Sequence, residues 1–246
     1  MTDAYAVFAA ASLAVVASAC GALPFAFRRG VASSSLGSGT AIAAGVMLAV
    51  GGGLLLESPE LRPGALAVGV AAGMLFVQLL RRVLARLADL DVTRLAAVDG
   101  HRAVLIVAVL TAHSAAEAIG LASAFAGSRA FGWTIGLALA IHKMPEGFAV
   151  SLALVPRGVS VRAAAGFAAL AALPLPLLAV PAFLFVDSFR GILPVALGFA
   201  AGAMIFVVVS EMLPEALRQA RPNSVAVYCG VAFSATALFQ VVVALA

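Results

Sequence analysis

The sequence predicts an all-α polytopic membrane protein with eight transmembrane helices. Of its 246 residues, 64% are hydrophobic and only 11% are charged, and the mean hydropathy is +1.14. A water-soluble domain with so few polar residues could not cover its surface. Apolar stretches of about 20 residues, the length that a helix needs to cross the hydrocarbon core, recur along the whole chain.

Eight stretches have this length, and we number them spans 1 to 8. They cover residues 4–27, 38–56, 64–85, 102–126, 130–155, 161–186, 191–216 and 225–246. The longest connection, residues 86–100, separates the first three spans from the rest. No segment outside the spans is long enough for a soluble domain, so we expect residues 1–246 to form a single transmembrane domain.

The distribution of arginines predicts the orientation of the chain. Eleven arginines flank the connections on one side: Arg28, Arg29, Arg81, Arg82, Arg86, Arg94, Arg102, Arg157, Arg162, Arg218 and Arg221. Only Arg62, Arg129 and Arg190 lie on the other side. The positive-inside rule places the larger set in the cytoplasm, which makes 86–100 a cytoplasmic loop and leaves both termini outside. Arginines in short loops orient a membrane protein and do not form a phosphate-binding face, so we expect no nucleic-acid partner.

The order of the spans also predicts a 3+2+3 arrangement. Spans 1–3 begin outside and spans 6–8 begin inside. The two triplets can therefore form an inverted pair around a central hairpin of spans 4 and 5.

Ionisable residues inside the predicted spans concentrate in spans 4 and 5. Span 4 contains "HSAAEA", with His113 and Glu117, and span 5 contains "HKMPEG", with His142, Lys143 and Glu146. A charged residue at the centre of a span costs about 2.5–3.5 kcal/mol on insertion scales, so such residues indicate function.

The spacing of these residues predicts one polar patch. Residues four apart share a helix face, and the tight "GSR" turn between the two spans makes them antiparallel. His113 is then level with Glu146, and Glu117 is level with His142. Two imidazoles and two carboxylates suit Zn²⁺ and are acceptable to Fe²⁺, Mn²⁺ or Cd²⁺. The alternative is that each His–Glu pair is a hydrogen-bonded strut between helices, but two pairs in register favour a metal site.

Lys143 raises a separate question because it follows His142 directly. It projects about 100° around the helix from His142, beside the expected ligands. We expect its ammonium to neutralise Glu117 and Glu146 when metal is absent, so that the site holds a single ion. The alternative is that Lys143 extends to the outer surface, but that surface is roughly 18 Å away along the helix.

Three further residues are weaker candidates. Met47, in "GVMLAVGG" of span 2, would face the site if span 2 is adjacent, although a membrane methionine is more often a packing residue. Glu211 and Glu215, in "VVVSEMLPEA", share a helix face near the inner end of span 7, one turn before Arg218. They either pair with arginines at the inner surface or form an exit relay for a cation.

These motifs together amount to a family resemblance. The chain resembles the ZIP (Zrt/Irt-like) divalent metal transporters, particularly their bacterial GufA-like branch, in "HSAAEA", "HKMPEG" and "GFAAGAMIFVVVSEMLPEA" and in its eight spans. Family members usually read His-Asn-x-x-Glu-Gly in span 4 and His-x-x-Pro-Glu-Gly in span 5. The resemblance implies that the primary transport-site ligands are His113, Glu117, His142 and Glu146, joined by Met47. It also implies that Glu211, followed by Pro-Glu with Glu215, lies on the inner pathway.

The chain departs from the family pattern at a second metal position. Many relatives bind a second ion with an Asn after the span 4 His, an acidic residue after the span 5 His, and a Glu before Pro in span 6. This chain has Ser114, Lys143 and Leu175 at those places. A binuclear centre is therefore in doubt.

The predicted function is transport of a divalent metal cation, most simply zinc, into the cytoplasm through a site between spans 4 and 5. The metal is the transported substrate, and we expect no prosthetic group and no enzymatic activity. The expected surroundings are the lipid bilayer of the inner (plasma) membrane, and a homodimer is compatible with the resemblance. The alternative function is an intramembrane metalloenzyme such as a membrane protease. Those enzymes need a motif like His-Glu-x-x-His, and neither span has that order.

Overall fold

The computed structural model describes residues 2–27, 33–56, 62–90, 98–155 and 158–245. Within these ranges all regular structure is helical and there is no β-strand. The helices are α1 (Thr2–Cys20), α2 (Leu23–Phe27), α3 (Ser33–Leu56), α4 (Pro63–Leu90), α5 (Val98–Gly127), α6 (Arg129–Leu154), α7 (Val161–Ala172), α8 (Pro174–Ser188), α9 (Leu193–Val207), α10 (Leu213–Gln219) and α11 (Pro222–Leu245), with a 3₁₀ turn at Arg190–Ile192 and a π turn at Val208–Met212.

The lengths of these helices confirm the predicted fold class. Six segments of the described chain are long and apolar enough to cross a membrane: Asp3–Phe27, Gly37–Leu56, Pro63–Val83, Val161–Ser188, Leu193–Gln219 and Pro222–Val242. They correspond to spans 1, 2, 3, 6, 7 and 8. The two remaining spans are α5 and α6, with 30 and 26 residues, which carry the ionisable residues. The chain is an all-α polytopic membrane protein.

Three spans are interrupted in ways that the sequence prediction did not include. Span 1 breaks between α1 and α2, and span 6 breaks where Pro174, which has no N–H group, starts α8. Span 7 contains the π turn between α9 and α10. The predicted loop at 86–100 is also shorter than expected, because α4 extends to Leu90 and α5 begins at Val98. Residues 91–97 lie outside the described ranges.

The spans pack in two groups of four. In the first group α1 packs mainly against α6, and α5 packs mainly against α8. In the second group α4 packs mainly against α9, and α3 packs mainly against α11. In span numbers, span 1 pairs with span 5 and span 6 pairs with span 4. Likewise, span 3 pairs with span 7 and span 8 pairs with span 2. Each pairing is repeated when spans 1, 2, 3 and 4 are exchanged for spans 6, 7, 8 and 5. This exchange is the pairing that two inverted triplets around a central hairpin would produce.

Glycines allow very close backbone contact inside each group. In the α4–α9 pair, a Cβ added to Gly73 would collide with the carbonyl oxygen of Phe199, and one added to Gly202 would collide with that of Val70. Small residues four apart let membrane helices approach in this way. The contact between the groups is different, because Gly120 of α5 faces side chains of the second group, with Ala200 Cβ at 3.1 Å from its ideal Cβ position. The α5–α6 hairpin, which carries the polar residues, also packs against α9 and α3 of the second group.

Candidate metal site

The hairpin that carries the site is held by a tight, capped turn. Only Ser128 separates the end of α5 at Gly127 from the start of α6 at Arg129. Ser128 caps α6, because its Oγ accepts a hydrogen bond from the Phe131 N–H at 3.1 Å. The two helices are therefore antiparallel neighbours, and residues at similar distances from the turn lie near each other.

Glu117, His142 and Glu146 converge in the buried space between the two helices. His142 Nε2 lies 2.6 Å from Glu117 Oε1 and 3.4 Å from Glu146 Oε1. Glu117 and His142 are completely buried, and Glu146 is 7% exposed. The structure therefore places Glu117 beside His142, as the spacing of the two His-x-x-x-Glu motifs predicts.

Lys143 lies on the opposite side of the same two carboxylates. Its Nζ is 2.5 Å from Glu117 Oε2 and 2.6 Å from Glu146 Oε2, and it donates a hydrogen bond to Ser114 Oγ at 3.0 Å. The side chain is completely buried. The interpretation that Lys143 extends to the outer surface is therefore wrong, because its ammonium is enclosed by two glutamates and a serine.

Each carboxylate thus divides its two oxygens between two positive or polar neighbours. The Oε1 atoms of Glu117 and Glu146 face His142, and their Oε2 atoms face Lys143. One ligand atom from each of Glu117, His142 and Glu146 lies within 4.8 Å of the others, which is a spacing that one metal ion can bridge. Two carboxylate oxygens and one imidazole nitrogen match the donors that Zn²⁺ takes in proteins.

The two nitrogens of the His142 ring have different surroundings, and this affects how the ring could bind a metal. In this arrangement Nε2–H can donate to Glu117, whereas Nδ1 is buried with no hydrogen-bond partner among the described residues. A metal on Nε2 requires the neutral ring with its hydrogen on Nδ1. The two ring nitrogens are therefore not equivalent in this structure.

The other two predicted ligands, Met47 and His113, are not among the three converging ligand atoms. Met47 is fully buried on α3, a helix that packs against α6, and it belongs to the main apolar core. His113 belongs to α5, and its side chain lies outside the described part of the structure.

The acidic residues of span 7 are paired with arginines. Glu211 lies in the π turn, with Oε1 at 3.0 Å from Arg81 Nε of α4. Glu215 lies 3.3 Å from Arg218 and also accepts a hydrogen bond from Gln219. Of the two alternatives weighed for this pair, the structure brings arginines to both glutamates, and Glu211 meets Arg81 rather than Arg218.

Arg81 is the residue that the sequence interpretation missed as part of a site, because it was counted only as an orienting arginine. The available signal was the glycine spacing of the two spans. Gly69 and Gly73 of α4 lie against α9, and Gly198 and Gly202 of α9 lie against α4. Continuing that parallel register for two more turns brings Arg81 to Glu211.

Two comparisons with known proteins each match more than half of this chain. Residues 88–238, more than half of the chain, match the family model described as "ZIP Zinc transporter". An Arabidopsis thaliana protein described as a "Putative zinc transporter" is 40% identical over 213 residues, which are 85% of this chain and 34% of that protein. The chain thus spans about a third of the length of this relative. The matched region contains all of α5 and α6, and with it every residue of the buried cluster: the chain belongs to the ZIP zinc transporter family.

Proposed function

We propose that this chain moves a divalent metal cation, most simply Zn²⁺, across the inner (plasma) membrane into the cytoplasm. The ion binds between α5 and α6, to Glu117, His142 and Glu146, with His113 and Met47 completing the ligand set. The narrower assignment to the GufA-like branch is part of this proposal, and so is the inward direction, which depends on the arginine distribution. The name of the Arabidopsis relative supports the choice of zinc.

The observation that carries the proposal is the convergence of three ligand atoms within 4.8 Å in a fully enclosed part of a membrane protein. Burying two carboxylates and an imidazole is costly unless the charges are paired or a metal is bound. A transported ion that arrives here exchanges its water for oxygen and nitrogen ligands supplied by the two helices.

Lys143 makes a single bound ion the preferred state. Its ammonium faces the same carboxylate oxygens that a second cation would need. Ser114, which accepts a hydrogen bond from Lys143, lies where relatives with two metals carry an Asn. With both glutamates ionised and His142 neutral, the cluster has a net charge of −1, and one divalent ion changes it to +1.

The alternative, an intramembrane metalloenzyme, is less well supported. A membrane metalloprotease of the His-Glu-x-x-His type uses a glutamate that is free to act as a base on the metal-bound water. The two carboxylates of the cluster each contact Lys143 and lie toward His142, so neither is free to act as that base.

Uptake of Zn²⁺ or Cd²⁺ into sealed proteoliposomes tests the function directly. The wild type should accumulate metal, whereas Glu146→Ala and Glu117→Ala should lose high-affinity binding and uptake. Truncating one partner of a buried charge pair costs binding about 2–5 kcal/mol, which corresponds to a loss of metal affinity of roughly thirtyfold or more.

Arg129→Ala is a matched control. Arg129 lies at the start of α6, away from the buried cluster; its side chain is 60% exposed and lies 3.7 Å from Asp3. It should retain uptake close to the wild-type rate. Unchanged metal affinity in both glutamate variants would exclude this site, and a wild type that accumulates no metal would contradict transport itself.

A further inference from the structure

The ion pair between Arg81 and Glu211 lies one helical turn inward from the level of the metal site. Val77 of α4, Ala116 of α5, and Ala203 and Val207 of α9 form a buried cluster. Ala116 directly precedes Glu117, so this cluster marks the depth of the site. Arg81 follows Val77 by four residues and Glu211 follows Val207 by four, about 6 Å further along each helix.

Both helices run toward the side that the arginine distribution assigns to the cytoplasm. An ion that leaves the buried site in that direction along α4 and α9 therefore approaches Arg81 and Glu211 next. The two residues sit at the same level because the glycine contacts fix α4 and α9 in one parallel register.

The carboxylate of this pair has few hydrogen bonds for a group inside the protein. Arg81 Nε is 3.0 Å from Glu211 Oε1, but this oxygen is buried and has no aligned hydrogen bond from the described residues. Ser210 Oγ, on the same π turn, is likewise buried without a hydrogen-bond partner within the described chain. Such π turns inside α-helices are frequent at functional sites. Oxygens without hydrogen-bond donors are suited to receive a cation briefly.

Exposure makes the pair easy to open. The side chains of Arg81 and Glu211 are 39% and 26% exposed, so the guanidinium is not enclosed by protein and has room to swing away from Glu211. The pair is neutral when closed, and an arginine left without its glutamate would present a positive charge to the leaving ion.

We propose that Arg81 is the inner gate of the transport path: a departing divalent cation displaces its guanidinium from Glu211 and passes on as the pair closes again. The inference rests on the proposed transport function and adds a residue that controls the rate of release. Arg81 acts here through Glu211 and is not itself a metal ligand.

A double-mutant experiment in proteoliposomes tests the gate, with Zn²⁺ as the probe. Glu211→Gln leaves the Arg81 charge unpaired and should slow uptake about tenfold, because that charge repels the leaving ion. The double variant Arg81→Gln/Glu211→Gln removes the charge and should return uptake to within about twofold of wild type. Zn²⁺ affinity at the central site should stay within about twofold in both variants, since their contacts do not reach it.

Ionic strength gives a readout that a structural role would not change. Both side chains are partly exposed, and if Arg81 meets the cytoplasmic solution as the gate requires, high salt should screen the unpaired arginine and shrink the defect of Glu211→Gln. Arg218→Gln is the matched control. It removes an arginine at the same end of span 7, but this arginine pairs with Glu215. It should transport like the wild type.

The possible outcomes separate the two proposals. Equal slowing in Glu211→Gln and in the double variant, at low and high salt, would show that the pair only holds α4 against α9 and would overturn the gate. If Glu211→Gln does not fold, Arg81→Gln decides: the gate requires uptake at least as fast as wild type, and slower uptake contradicts it. A wild-type chain that moves no Zn²⁺ would instead refute the proposed function.

Discussion

Lys143 and Arg81 are both cations that face glutamates near the centre of this protein, but their surroundings differ. Lys143 is completely buried and contacts two carboxylates and a hydroxyl. Arg81 is 39% exposed and faces one carboxylate without an aligned hydrogen bond. Buried charges are tolerated only when each one keeps its partner, so removing one partner is strongly destabilising. An exposed ion pair contributes only about 0–1 kcal/mol to the free energy of unfolding. We therefore expect Lys143 to be a fixed part of the cluster and Arg81 to be the cation that moves.

In the proposed mechanism, the same difference separates binding of the ion from its release. A site that strips water from a divalent ion needs ligands that are enclosed and held in place. A pathway that lets the ion leave needs groups that compensate its charge without holding it. The buried cluster on α5 and α6 has the first character, and the ion pair between α4 and the π turn has the second.

Replacing Lys143 should give the largest change in stability. Lys143→Met leaves the carboxylates of Glu117 and Glu146 buried without their cation, which should lower the free energy of unfolding by about 3–5 kcal/mol in the absence of metal. Bound Zn²⁺ or Cd²⁺ should restore much of this loss, because the ion supplies the missing positive charge. Thermal unfolding in detergent, with and without metal, measures both effects.

Ser114→Ala is the matched control for Lys143→Met. It removes one hydrogen bond to the ammonium but keeps the charge, so it should cost only about 1 kcal/mol. If Lys143→Met unfolds like Ser114→Ala, the carboxylates do not depend on the lysine, and the contrast between the two cations disappears.

The number of bound ions should also depend on Lys143. The wild type is expected to bind one Zn²⁺ per chain at saturation, because the ammonium holds the oxygens that a second ion would use. Lys143→Asp removes this cation and adds an oxygen donor, and should bind two. Metal analysis of the purified, desalted chain counts them, and two ions per wild-type chain would show that Lys143 does not exclude the second one.

Local periodicity explains why the sequence predicted much of the buried cluster. Glu117 and His142 meet because residues four apart share a face and because a short turn makes the two helices antiparallel. Lys143 was placed correctly for the same reason: adjacent residues on a helix differ by about 100°. These relations lie within one hairpin, where the sequence fixes the geometry almost alone.

The parts that the sequence did not predict depend on contacts between distant helices. The sequence left open which arginine, if any, pairs with Glu211, and the register of α4 against α9 brings Arg81 to it. That register depends on which glycines face each other, and the letters alone do not tell which helices are neighbours. The breaks in spans 1 and 7 were missed because apolar composition indicates length and gives no signal for a local change in helix geometry, whereas the break in span 6 was missed although Pro174 signals it.

The smallest effect is expected for Glu215. This residue is 46% exposed and lies 3.3 Å from Arg218, which is 78% exposed, so the pair is largely screened by water. Glu215→Gln should therefore change the free energy of unfolding by no more than about 1 kcal/mol. Uptake should stay within about twofold of wild type, because Glu215 lies a full turn beyond Glu211, where a departing ion already meets solvent. Thermal unfolding and proteoliposome uptake of Glu215→Gln, measured beside Glu211→Gln, test this directly. If Glu215→Gln slows uptake as much as Glu211→Gln does, the exit uses both carboxylates as a relay, and the gate would extend beyond the Arg81 pair.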